Sequence, residues 1–208
     1  WPSYSNYEAS NLIFRLKGED PDNVKPVPKE LRRDVYCTAV QKGTEEEWDF
    51  LWTRYLNSNL ASEKSSILSA LSCARKIWIL LRFLNWSIDK SYDINPRDSV
   101  SIFEEIAENE AGFPIAKDFL LRRLQDIHAY HGPGNIAMGR YVKSLTAQMI
   151  HTEEFDQMQS FIGNNTQYFK NSATEVEEAL RMIQNNAEWH KSFQDEISKI
   201  IKQDTPGT

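Results

Sequence analysis

Apolar positions recur along this chain in steps of three and four, the spacing that gathers side chains on one face of an α-helix. The clearest run is Trp48, Leu51, Trp52, Tyr55 and Leu56, which predicts a helix with one broad aromatic face. Thr44-Glu45-Glu46-Glu47 precedes it and reads as a capping box. The threonine hydroxyl can accept the N–H three residues on while Glu47 reaches back to the threonine N–H. Upstream, Leu31, Val35, Cys37 and Ala39 predict a helix from Pro28 to about Lys42, with Gly43 as a left-handed stop. Downstream, Leu60 to Ser72 turns Ile67, Leu68, Ala70 and Leu71 inward. Arg75 to Asn85 is apolar on most of its circumference and is expected to be central.

The same periodicity continues beyond the turn at Asp93 to Arg97. Ile102, Phe103 and Ile106 mark a helix from Ser99 to Glu110, stopped by Ala111-Gly112, and Pro114 opens another from Ile115 to Tyr130. After His131-Gly132-Pro133-Gly134, the stretch Asn135 to Met149 resumes as helix interrupted by Gly139. Thr152 to Ile162 follows. A second capping box, Ser172-Ala173-Thr174-Glu175, launches the longest helix, to about Gln203, with Val176, Leu180, Ile183, Trp189, Phe193, Ile197 and Ile200 on its inner side. No segment alternates as a strand would. Helices joined by short loops, in an irregular repeat of about forty residues, predict an all-α, HEAT/armadillo-like stack of antiparallel helical hairpins, an α-solenoid bowl. Residues 1–18, with Ala9, Leu12, Ile13 and Leu16 in helical register, read as the trailing helix of a preceding hairpin. The range 19–203 reads as one domain, and 204–208 leaves it.

Composition narrows the function classes. Apolar residues make up 40% of the chain and charged residues 26%, as in an ordinary folded domain. The net charge of −6 is spread along the chain, so no basic stripe is present to hold a phosphate backbone, and nucleic acid is not an expected partner. The longest apolar patch, Ile77 to Leu81, is cut by Arg82 and is too short to cross a membrane. The chain opens on Trp1 with no signal-peptide pattern, which predicts a piece of a longer polypeptide. Cys37 and Cys73 stand too far apart for a zinc ribbon or a redox C-x-x-C pair, leaving either a disulfide between packed helices or two buried thiols. The sequons Asn85-Trp86-Ser87 and Asn164-Asn165-Thr166 are candidate N-glycosylation sites and lean toward the secretory pathway.

Candidate chemistry is sparse. His128 and His131 share a helix face, but no H-E-x-x-H is present, and His151 and His190 have no ligand partner legible in the sequence. Glu104-Glu105 and Glu153-Glu154 fall on expected solvent faces. Gly132, Gly134 and Gly139 lack phosphate-cradle spacing, and no nucleophile elbow occurs. The residues themselves predict no catalytic site and no metal site.

Three blocks in order, VPKELRRDVYCTAVQKGTEEEWDFLWTRYLNSN, ILSALSCARKIWILLRFLNWSID and NPRDSVSIFEEIAENEAGFPIAKDFL, resemble the late part of the C-terminal helical domain of the aminopeptidase N family. The resemblance implies a HEAT-like bowl and a Cys37–Cys73 disulfide. It implies that the family's zinc helix and its G-x-M-E-N exopeptidase motif lie upstream, in a catalytic domain of the same parent chain. Zinc is thus the cofactor of the parent, with none expected in this portion. The family's domain closes the substrate chamber and contacts the peptide substrate. The segment Gly134 to Leu145 corresponds to one that approaches the chamber, which makes Asn135, Met138 and Tyr141 the substrate-chamber candidates. The tail resembles that of insect midgut members, whose threonine- and proline-rich stalk leads to a lipid anchor on the extracellular face of the plasma membrane. Relatives serve as receptors for bacterial toxins or viral proteins. A different class remains open: an autonomous HEAT-like protein-interaction module with no peptidase activity.

Overall fold

The computed structural model describes residues 29–204, and every regular element among them is helical. The expected trailing helix at 1–18, the connection to Pro28 and the tail at 205–208 lie outside the described residues. The helices fall into two compact units, one up to Phe119 and one from Leu120 onward.

In the first unit a 3-10 turn, Lys29–Leu31, leads into α1 (Arg32–Lys42), followed by α2 (Glu45–Asn57), α3 (Ala61–Leu71), α4 (Ile77–Ser87) and α5 (Pro96–Glu108). Each helix touches the next but one: α1 lies on α3 and α3 on α5, while aromatic rings of α2 meet those of α4. Two layers of alternate helices are the signature of solenoid-type stacking, and the all-α class expected from periodicity is the one observed. Val35, Ala39, Trp48, Leu51, Ile67, Leu71, Leu80, Phe83, Phe103 and Ile106 fill the space between layers. Each such large side chain contributes roughly 1.5–3 kcal/mol by leaving water.

Local rules place the joints. The capping box at Thr44 forms as expected: Glu47 Oε2 accepts from the Thr44 N–H at 2.6 Å, and the Thr44 hydroxyl accepts from the Glu46 N–H at 3.2 Å. Gly43 is not left-handed as expected but extended, at φ −82° and ψ −168°. It is tightness that favours glycine there, since a Cβ would stand 2.5 Å from the Ala39 carbonyl oxygen and 2.7 Å from Glu47 Cγ. The left-handed residue of this unit is Asp93, at φ 52°, just before Asn95. The Asn95 carboxamide accepts from the N–H groups of Arg97 and Asp98 at 3.0 Å each, so α5 begins at Pro96, three residues ahead of the expected start. Cys37 and Cys73 are joined, tying α1 to the turn after α3 across a Cα separation of 5.4 Å.

Two expectations about burial also fail in this unit. Helix α4 is not central, because Ile77, Trp78 and Leu81 form an exposed face while Ile79, Leu80, Phe83 and Leu84 are buried. Leu56, placed on the aromatic face by spacing, is exposed. Periodicity marks an apolar face without showing how wide the covering neighbours are.

In the second unit lie most of α6 (Phe113–His131), then α7 (Ala137–Lys143), α8 (Thr152–Asn164), the single turn α9 (Thr166–Phe169) and α10 (Ala173–Asp204). A 3-10 turn at Thr146–Gln148 separates α7 from α8, and another at Lys170–Ser172 runs directly into α10. Because of that continuity the expected capping box at Ser172 is not made. Ser172 is buried, and its hydroxyl donates to the Phe169 carbonyl at 3.5 Å. Gly139 does not interrupt a helix as expected. It sits inside α7, where a Cβ would come 2.7 Å from Glu175 Cβ and 2.9 Å from Ser172 Cβ, so the missing side chain is what lets α7 press against the start of α10.

The first half of α10 packs on α7 and α8 through Val176, Ala179, Ile183 and Ala187, and the Asn186 amide donates to the Thr146 carbonyl at 2.9 Å. Past that anchor one apolar face of the helix is bare. Trp189, Phe193 and Ile197, expected to face inward, are exposed, and the rings of Trp189 and Phe193 stack on each other at 5.2 Å.

Candidate functional site

The loop before α7 carries the three substrate-chamber candidates. Gly132 and Gly134 adopt φ of 81° and 82°, a left-handed conformation that glycine takes without strain, and so fold the chain back sharply after α6. Asn135 is half-buried and braces this bend. Its amide donates to the Gly132 carbonyl at 2.5 Å while its oxygen accepts from the Ala137 N–H at 3.2 Å. Met138 and Tyr141 are buried one turn apart on α7. The family resemblance groups the three, and the structure places them as one brace and two core side chains. The exposed apolar residue of the loop is Ile136, which the resemblance did not single out.

His131 closes the same cluster. Its Nε2 lies 3.0 Å from the Tyr141 hydroxyl, and the two rings meet edge to face at 5.6 Å. Burial, with a smaller contribution from nearby His128, pushes the His131 imidazole from an ordinary 6.5 down to about 4. His128 in turn rests edge-on against Tyr168 of α9. The sign of the pH effect follows. The unfolded chain binds the His131 proton near pH 6.5 and the folded chain resists it until about 4, so folding stability is whole above pH 6.5 and declines as pH falls from 6.5 to 4. His131→Gln is expected to flatten that part of the stability profile. An NMR titration of the wild-type imidazole that gave an ordinary midpoint would refute it.

In the first unit an open polar groove of about 610 Å³ runs beside the disulfide, lined by Arg33, Gln41, Arg75, Glu105, Glu108 and Asn109 among others. Its floor is cross-linked. Arg33 Nε donates to Ser69 Oγ at 2.7 Å, and the Ser69 hydroxyl donates to Glu105 Oε2 at 2.5 Å. The Asn109 amide donates to the carbonyls of Ser72 and Ala74 at 3.0 and 2.9 Å, holding the turn that follows Cys73. Elsewhere in the unit, α2 and α3 are clamped by Glu63, which accepts from Arg54 Nε at 2.8 Å and from the Ser58 hydroxyl at 3.0 Å. Burial pushes the Glu63 carboxyl up, but those hydrogen bonds outweigh it and hold it below its ordinary value. Both signs of charge line the groove, so it can exchange hydrogen bonds with a polar chain.

The family model described as the ERAP1-like C-terminal domain matches residues 7–185. The chain belongs to that family. It is 32% identical over 207 residues to aminopeptidase Ey of Gallus gallus, covering 98% of this chain and 21% of that protein. Against aminopeptidase N of Mus musculus it is 30% identical over 196 residues, covering 92% of this chain and 20% of the relative. Against aminopeptidase N of Homo sapiens it is 29% identical over 185 residues, covering 88% and 19%. This ERAP1-like C-terminal domain therefore spans about a fifth of the length of the curated relatives it matches.

The donor chemistry of the described residues does not suit a zinc ion. Among the described residues no three His, Cys, Asp or Glu side chains converge, both cysteines are joined to each other, and His131 is engaged by Tyr141. Also among the described residues, no helix is long and apolar enough to cross a membrane.

Proposed function

We propose that this domain is the noncatalytic C-terminal part of a membrane-anchored zinc aminopeptidase, one that removes N-terminal residues from peptides, and that it closes one side of the substrate chamber. The observation that carries the reading is the family match over residues 7–185, joined to near-complete coverage of this chain and about a fifth of each aminopeptidase. Zinc and the bond-breaking residues belong in this reading to the parent's catalytic domain. The parent stands on the extracellular face of the plasma membrane, lipid-anchored through a stalk downstream of this domain as in insect midgut members. Toxin or viral docking is a property of the parent to which no residue here is assigned.

Geometry supports a shaping role. Asn135, Met138 and Tyr141 act by fixing the bend at Gly132–Gly134, so that Ile136 and the loop backbone are the parts offered to a peptide. A preformed wall selects substrates by what it excludes and costs no ordering on binding. In the parent enzyme, Asn135→Ala is expected to change the dependence of kcat/KM on peptide length by several-fold while leaving turnover of an aminoacyl anilide, too short to reach this domain, unchanged. Equal effects on both substrates, or none on either in a folded enzyme, would refute the chamber role. Full activity of a parent lacking this domain, together with capture of an unrelated protein by it, would favour an autonomous interaction module.

A further inference from the structure

We propose that Asn164 carries an N-linked glycan in the folded protein and that Asn85, the other acceptor sequon of the chain, does not. The inference rests on the reading above that the chain matures in the secretory pathway. What it adds is a choice between two sites the sequence treats as equal.

The transfer requires two groups of the acceptor to be reachable together: the asparagine amide nitrogen and the hydroxyl two residues on. The oligosaccharide comes from a polyprenyl diphosphate donor. As the Asn164 Nδ2–C1 bond forms, the C1–O bond to the diphosphate breaks. The amide proton passes to a base of the transferase and the lipid diphosphate leaves. No oxidant or reductant is involved. Afterwards the glycan must stand clear of the folded surface, so the native environment of the asparagine decides whether a modified chain can reach the native state.

At the second sequon all of these conditions are met. Asn164 is the last residue of α8, with its side chain exposed, and Thr166 opens α9 with its side chain exposed as well. The space beside them is open, for a Cβ built on Gly163 meets no atom within 4 Å. Asn165 turns the chain between the two helices, and its own amide donates back to the Phe161 carbonyl at 2.8 Å. That bond fixes the turn without engaging the acceptor. A glycan on Asn164 projects outward from a helix end and displaces nothing.

The first sequon fails on each count. Asn85 lies inside the last turns of α4, half-buried, with its amide donating to the Leu81 carbonyl at 2.7 Å. Ser87, which would present the hydroxyl, is buried and donates to the Leu84 carbonyl at 2.8 Å. Trp86 between them stacks on Tyr92 at 4.5 Å and meets Trp52 at 5.1 Å. Presenting this sequon means unwinding the end of α4 and pulling Trp86 out of the aromatic cluster. A glycan attached to a nascent chain at Asn85 would keep the amide from returning to Leu81, and chains so modified would not reach the native fold.

The test uses the full-length parent made in eukaryotic secretory cells, with glycosidase release in heavy-oxygen water and peptide mass spectrometry at both asparagines. The expected result is an oxygen-18 aspartate at position 164 and unmodified Asn85 in the folded fraction. Asn164→Gln and Thr166→Ala should each remove one glycan from the gel mobility, and Asn85→Gln none. Thr166→Ala keeps Asn164 in place, so it separates loss of the acceptor from damage to the helix end. A bare Asn164 in secreted protein with Cys37 and Cys73 joined would overturn the proposal and leave the secretory reading standing. Occupancy at Asn85 in folded protein would overturn the choice between sites. No glycan together with two free thiols would overturn the secretory reading and the proposal with it.

Discussion

Trp48→Ala is expected to destabilise the first unit by roughly 3–5 kcal/mol, the range for emptying the space of a large buried aromatic. Trp48 has no exposed surface. Its ring stacks with Trp52 at 6.0 Å, meets Phe83 edge to face at 5.5 Å and Trp86 at 5.6 Å, and carries the Arg82 guanidinium over it at 4.7 Å. Its indole N–H also donates to the Leu71 carbonyl at 3.2 Å, pinning α2 to the end of α3. Alanine removes the ring, leaves that carbonyl without its donor, and takes from Arg82 one of the faces that hold it between Glu45 and Asp49. Trp48→Phe keeps most of the ring and loses only the donor and some volume, so about 1–2 kcal/mol is expected. Urea denaturation with an unchanged slope should show this order. Equal costs for the two substitutions would mean that the hydrogen bond, and not the cluster, holds α2 in place.

The second large effect concerns the covalent tie. Reducing Cys37–Cys73, or replacing both by serine, is expected to cost about 4 kcal/mol in the chain-entropy account for a loop of this span. In a unit of this size that lowers the melting midpoint by roughly 15–30 °C. The loss should be confined to the first unit, because both cysteines and the loop they close lie there. Calorimetry with and without a phosphine reductant would show one transition moving and the other staying. A midpoint insensitive to reductant would mean that the stack of α1 on α3 is already complete without the tie.

What the sequence made legible follows the range of the forces involved. Capping at Thr44 is a contact between residues two and three apart, and the box was legible in the sequence. Helix class and the buried sets on α3 and α5 follow from periodicity, which reports one face of one helix. The disulfide was not decidable from spacing and came from resemblance to a family, since pairing depends on where α1 and α3 meet. The failures of burial are questions about the other side of a contact. Nothing in Trp189, Phe193 and Ile197 reveals that this face of α10 is left bare, and nothing in Ile77, Trp78 and Leu81 reveals which side of α4 the stack leaves bare. Gly139 looked like a breaker because glycine is a poor helix former. Its reason is the Cβ of Glu175, a residue far along the chain. The candidate site was legible only as a loop. Which of its residues face outward was set by the left-handed pair Gly132 and Gly134, whose sign of φ no local pattern announces.

The position of the tie in the chain has a consequence for biosynthesis. Cys37 and Cys73 both emerge before α4 and α5 are made, and α1, α2 and α3 are already enough to bring them together. In an oxidising compartment the bond is therefore free to close on a growing chain, with no third cysteine among these 208 residues to compete. The first hairpins become a fixed template onto which α4 and α5 are laid as they leave the ribosome.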